Sequence, residues 1–272
     1  MRARAELVAE AGPDGTVRLP VLRSQAPLIL RRTADAVYLA SGAAGPLGGD
    51  TLELRIEVRS GASLRLRTVA AAVALPGRYG QESRLTITAT VGAGARLEYL
   101  PEPTVAADGA RHRTDVLVRL AADAALVLRD EVLLGRHGER GGACRTRLAV
   151  DRDSAVGWRP LLRHELDVSG TDPAAMGPAV LAGHRAAGTL LTVDPDVTHA
   201  SAGTDGGDAF YDLSNAGDAA GSAEPWVAVM PLAGPAVLVT ALAHDTRALR
   251  RRLESGRGPR IPVLSGTGGG TA

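Results

Sequence analysis

The sequence predicts an all-β chain, a β-helix-like stack or layered β-sandwich of repeated hairpins, with a short C-terminal helical element. Three observations predict it. Apolar residues alternate with polar ones along several segments, tight turns rich in Gly and Ala recur between those segments, and the whole pattern repeats at a nearly constant interval. Period-two alternation gives a strand one apolar face, whereas a helix would repeat every 3.6 residues.

The first copy runs Leu52, Leu54, Ile56 and Val58, turns at Ser60, Gly61, Ala62 and Ser63, and resumes at Leu64 and Leu66. The second has Leu85, Ile87, Ala89 and Val91, a turn at residues 92–95, then Leu97 and Tyr99; the third has Val116, Val118 and Leu120, a turn at 121–124, then Leu126 and Leu128. A weaker fourth copy has Leu148 and Val150, a turn at 151–154, then Val156 and Trp158. The first apolar residues after the turns, Leu64, Leu97, Leu126 and Val156, lie 33, 29 and 30 residues apart. Such a unit cannot bury its apolar face alone, so the copies must stack.

Beyond Arg163 the repeat fades, and residues 172–187, punctuated by Pro173, Pro178 and Gly183, read as an irregular connection. Strands are expected at 189–193, 226–230 and 237–242, and residues 194–224, rich in Gly, Asp, Ser and Ala, as an exposed loop. Asp245 reads as the N-cap of a short helix through Leu253, with Arg250, Arg251 and Arg252 near the C-terminal end, where positive charge suits the helix dipole. The chain thus divides into one β-rich domain, 1–253, and a flexible tail, 254–272.

Composition narrows the chemistry. Apolar residues at 45% can form a core, while 33 Gly, 16 Pro and 3% aromatics favour thin layers and tight turns over thick helical packing. Every Lys/Arg position is Arg, so no lysine is present to serve as a Schiff base or phosphate-loop ligand. The net charge of +1 offers no footprint for nucleic acid. A single Cys144 excludes an intramolecular disulfide and multi-cysteine zinc sites and suits a reducing compartment. With no apolar run long enough for a signal peptide or a membrane span, a cytoplasmic, membrane-free chain is expected.

No catalytic constellation stands out. The six histidines show no zinc-protease spacing, the Gly-rich stretch 42–49 lacks the lysine and helix of a phosphate loop, and there is no nucleophile elbow. On the parity of Leu126 and Leu128, Asp130 points inward, where a carboxylate must find a partner or shift its pKa. It reads either as half of a salt bridge or as the lining of a polar channel. Glu98 and Glu102 share the opposite face of their strand, Glu131 lies near them, and Asp108, His112, His137 and Glu139 occupy adjoining loops. Oxygen and imidazole groups of this kind can hold a transition metal such as nickel transiently. The alternative is a β-solenoid glycan-acting enzyme using acidic residues such as Asp130. It would need a second acid or a metal, and aromatic platforms, of which Phe210, Trp158, Trp226 and four Tyr are the whole supply.

A set of motifs then falls in order. Gly45-Pro46-Leu47-Gly48-Gly49-Asp50 precedes Leu52, Leu54 and the Gly61-Ala62 turn; Leu97-Glu98-Tyr99-Leu100-Pro101-Glu102-Pro103 ends a strand in a P-x-P corner; Leu133-Leu134-Gly135-Arg136 and Gly183-His184 with Gly188-Thr189-Leu190 follow. With Gln25-Ala26-Pro27-Leu28 and the helix at Asp245, these resemble the urease accessory protein UreD (UreH) family over about residues 15 to 253. The resemblance implies an all-β, solenoid-like body and a non-enzymatic role. Such a protein is a scaffold that binds apo-urease and UreF and, through UreF, the GTPase UreG, in an oligomer of complexes that assists nickel insertion. It implies no intrinsic cofactor, nickel being handled in transit, with Glu98, Glu102, Asp108, His112, Asp130, Glu131, His137 and Glu139 as candidates for the path. The chain departs from the family after Leu253, passing quickly to Gly256, Gly258 and Pro259 where the family commonly continues as helix.

Overall fold

A computed structural model describes residues 1–13, 15–195 and 226–256, so the expected loop at 194–224 and the tail at 254–272 lie almost wholly outside the described residues. The elements are β1 (Arg2–Ala11), β2 (Val17–Arg23), β3 (Leu28–Arg32), β4 (Val37–Ser41), β5 (Thr51–Val58), β6 (Ser63–Thr68), β7 (Ala72–Ala74), β8 (Ser83–Val91), β9 (Arg96–Leu100) and β10 (Thr104–Ala106). There follow β11 (Arg111–Leu120), β12 (Ala125–Leu134), β13 (Ala143–Arg152), β14 (Arg159–Ser169), α1 (Pro173–Met176), β15 (Ala186–Val193), β16 (Val227–Pro231), β17 (Ala236–Ala243) and α2 (Thr246–Ser255). The strands make two sheets. Sheet A runs β14-β13-β11-β8-β5-β1-β2, and sheet B runs β16-β17-β15-β12-β9-β6-β4-β3 with β10 and β7 attached beside β12.

The repeat is the reason for this arrangement. In each of the first three copies the strand before the turn (β5, β8, β11) lies in sheet A and the strand after it (β6, β9, β12) in sheet B, each pairing in parallel with its equivalent in the next copy. The arms of a copy therefore do not close on each other as hairpins. They part at a corner, which gives each arm a hydrogen-bonded neighbour above and below. Leu64, Leu97 and Leu126, the residues that mark the period, stand in one register row of sheet B. The corners stack as well, through Gly61 N to Ala93 O at 2.9 Å and Ala125 N to Ala95 O at 2.9 Å. Ala62, Ala95 and Ala124 are buried beneath them. The inward faces of both sheets meet in one core.

The fourth copy behaves differently: β14 turns back antiparallel to β13 within sheet A. Extending the β11–β13 register, in which Leu120 faces Arg152, puts Val156 and Trp158 where Ala124 and Leu126 stand. A branched side chain does not fit a corner that buries an alanine, and Val156 and Trp158 are both exposed. The region 172–187 contains one helical turn, α1, N-capped by Asp172. Helix α2 starts where expected, with the Asp245 carboxylate accepting from Ala248 N at 2.7 Å. Leu249 and Leu253 pack on the outer face of sheet B against Val127, Leu190, Val239 and Ala241, a second core. Among the described residues no helix is long and apolar enough to cross a membrane.

Candidate functional site

The interior between the sheets is apolar at one end and polar at the other. Along the inward face of sheet A, the apolar rows give way to Ser83 on β8, His112 and Thr114 on β11, and Thr146 on β13, which adjoin in register. Sheet B contributes Tyr99 and Asp130, whose parity with Leu126 and Leu128 turns it inward. The Thr146 hydroxyl bonds the Asp130 carboxylate, yet burial prevails and pushes the Asp130 pKa up to about 6. His112 is buried with both ring nitrogens engaged, Nδ1 with Ser83 Oγ at 2.8 Å and Nε2 with Thr114 Oγ1 at 3.0 Å. Burial lowers its pKa to about 4, so the ring is neutral.

Two cavities meet at Asp130. One, of about 260 Å³, is lined by Leu52, Ile87, Tyr99, His112, Thr114 and Asp130 and reaches the chain around Gly45 and Val69–Ala71. The other, of about 310 Å³, is lined by Asp130, Thr146, His164, Leu166, Trp226 and Ala228, and lies between β14 and β16, the edge strands of the two sheets. Asp130 is therefore flanked by open space on both sides. Its remaining accessibility agrees with that position.

The other predicted residues fall into two further groups. On the outer face of sheet B, Glu98 is fully buried and held by Arg67, with Arg65 at 3.6 Å. Glu131 is equally buried, 2.8 Å from Arg250 and 3.3 Å from Arg129, and Glu102 lies 3.1 Å from the same Arg250. Arg250 thus ties α2 to two carboxylates, and its own pKa rises, chiefly through the hydrogen bond to Glu131. The third group is a loop cluster. Glu139 pairs with Arg136 at 2.5 Å and accepts from Asp108 N at 3.2 Å, which lowers its pKa to about 2, and His137 is exposed on the same turn. Among the described residues no three His, Cys, Asp or Glu side chains converge as a metal cage.

The motif residues hold the framework. Gly48 is enclosed so tightly that a Cβ would lie 2.3 Å from Gly77 N. Asp50 is buried beside it, accepting from Leu47 N at 2.9 Å and from Met1 N at 2.5 Å. Pro101 takes the Arg129 guanidinium on its carbonyl at 3.0 Å, and the carbonyl of Pro103 accepts from Ala72 N at 3.0 Å. Gly135, at φ +76°, opens a turn whose carbonyls at Leu134, Gly135 and Arg136 accept from Arg185. Gly183 precedes the buried His184, which stacks on His244 with ring centroids 4.5 Å apart.

Ser83, Thr114, Thr146 and His164 were not singled out in the sequence. A signal existed for the first three, each of which interrupts an apolar inward row at the same end of its strand, visible once the register between copies is known; His164 stands in the middle of β14 opposite Leu148.

The UreD urease accessory protein family model matches residues 1–260. The urease accessory protein UreD of a Parafrankia species is 44% identical, covering 98% of this chain and 90% of the relative. That of Frankia alni is 45% identical over 93% of this chain and 91% of its own length. The protein named urease accessory protein UreD 3 of Streptomyces griseus is 44% identical, covering 93% and 95%.

Proposed function

The chain belongs to the UreD family of urease accessory proteins, and from that premise we propose that it is a non-catalytic maturation scaffold that passes nickel to apo-urease through the interior of its sandwich. It works with UreF and, through UreF, with UreG. The observation that carries the reading is the carboxylate of Asp130 between two cavities. An oxygen donor there can take a divalent ion from one side and yield it to the other. With one carboxylate and, among the described residues, no preformed cage, the ion is held loosely enough to leave. The polar hydroxyls of Thr114 and Thr146 replace part of its water shell on the way. Glu98, Glu102 and Glu131 are neutralised by guanidinium groups, which leaves Asp130 as the interior carboxylate of the predicted path, with His112 lining the same cavity and both its ring nitrogens engaged by hydroxyls. Asp108, His137 and Glu139 line neither cavity, and Glu139 is itself paired with Arg136.

Glycan chemistry with Asp130 finds less support. Glycosidic cleavage needs two carboxyl groups roughly 5 to 10 Å apart across a sugar. Among the described residues the other carboxylates that line the cavities, Asp50 and Glu102, are already bound to Met1 N and Arg250. In a deletion strain, urease should be expressed but nickel-poor and inactive, and Asp130→Asn should reproduce much of that defect. Normal nickel content in urease from the deletion strain would remove the proposal.

A further inference from the structure

The cavity between β14 and β16 contains a nitrogen donor that the predicted path omitted. His164 projects from β14 into the space that Asp130 and Thr146 also line. Its surroundings differ from those of His112. The His112 ring has both nitrogens occupied by hydroxyls, whereas the ring of His164 makes no hydrogen bond among the described residues. Half-buried and desolvated, His164 has its pKa lowered, so near neutrality the ring carries a free lone pair. Leu166, Ala187 and Trp226 form apolar walls around it, and among the described residues the other side-chain donors that line the cavity are the Asp130 carboxylate and the hydroxyls of Thr146, Thr189 and Thr240.

We propose that His164 is the selectivity-determining residue of the passage, offering an imidazole nitrogen to an ion that Asp130 and Thr146 can hold only through oxygen. Oxygen donors alone suit hard cations such as Mg²⁺ and Mn²⁺ and discriminate only weakly in favour of borderline ones. An imidazole favours Ni²⁺ strongly over Mn²⁺, following the general order of divalent affinities. Two or three donors with water completing the shell discriminate between ions without trapping them. The proposal rests on the reading of the interior as a metal passage.

The test compares Ni²⁺ and Mn²⁺ binding to the purified full-length protein, His164→Gln and Asp130→Asn, by competition with a chromophoric chelator, together with urease nickel content after co-expression. For His164→Gln the Ni²⁺ affinity should fall by about tenfold or more, the scale on which changes around a metal alter affinity. Mn²⁺ affinity should stay within about twofold, so that the preference collapses. Unchanged Ni²⁺ preference in His164→Gln, with Ni²⁺ binding lost in Asp130→Asn, overturns the role of His164 and leaves the passage standing. Equal loss of both metals in His164→Gln, accompanied by a lower unfolding midpoint, also overturns it, because His164 would then act on the fold. If neither variant alters metal binding or urease nickel content, the passage itself fails.

Discussion

Replacing Asp130 by Asn should stabilise the protein, and only above a particular pH. The carboxylate has its pKa raised to about 6 from an ordinary 3.8, mainly by burial, with the Thr146 hydroxyl opposing. Between those values the folded chain binds more protons than the unfolded chain, so stability declines as pH rises through the window. The penalty is absent below about pH 3.8 and complete above about pH 6. Its size follows from the two values: about two pKa units at about 1.4 kcal/mol each is about 3 kcal/mol. Asn keeps the shape and an oxygen for Thr146 but carries no charge. Urea unfolding of metal-free protein, in a chelating buffer, should show Asp130→Asn more stable by about 2–3 kcal/mol at pH 8 and nearly equal to the parent at pH 4. A difference independent of pH, or a less stable variant at pH 8, would refute the reasoning, since the ionised carboxylate would then be satisfied within the fold. If confirmed, the residue is one that costs stability and reduces nickel delivery when removed, the pattern expected of a group kept for function.

Arg250→Ala should free α2 from sheet B and leave the fully buried Glu131 with only Arg129 beside it, costing about 2 kcal/mol and increasing amide exchange in α2 ahead of the sheets. Gly48→Ala should lower stability by about 1–3 kcal/mol, read from the unfolding midpoint, because the added Cβ meets the backbone of Gly77 and Gln81. For His112 the folded pKa is lowered to about 4 from 6.5, so the unfolded chain binds more protons between those values and stability is lost as pH falls through them. His112→Gln should flatten that part of the pH–stability curve while leaving the slope above pH 6.5 as it was. Leu253→Ala should cost about 2–4 kcal/mol by opening a cavity under α2, measured by denaturant unfolding.

The strands, corners and stacking were legible in the residues because each depends on short-range pattern: alternation defines a face, small residues at the corner let the chain turn, and a period near thirty brings Leu64, Leu97 and Leu126 into one row. The cap of α2 was legible for the same reason. Asp130 could be turned inward on parity alone, but not told apart from a buried salt-bridge carboxylate. Its parity is shared with core leucines, and only the space around it makes the difference.

What the linear sequence determined, then, is the repeating body and the family motifs that keep its corners tight. Only the tertiary structure decided that the arms of each copy part into two sheets, that Val156 ends the pattern, and that Arg250, more than a hundred residues away in sequence, neutralises Glu131. The same holds for the meeting of two cavities at Asp130 and for His164 facing into one of them. Backbone periodicity is a local property that each strand expresses by itself. Charge pairing and open space arise between elements distant in the chain, and they exist only once register and sheet-to-sheet packing bring those elements together.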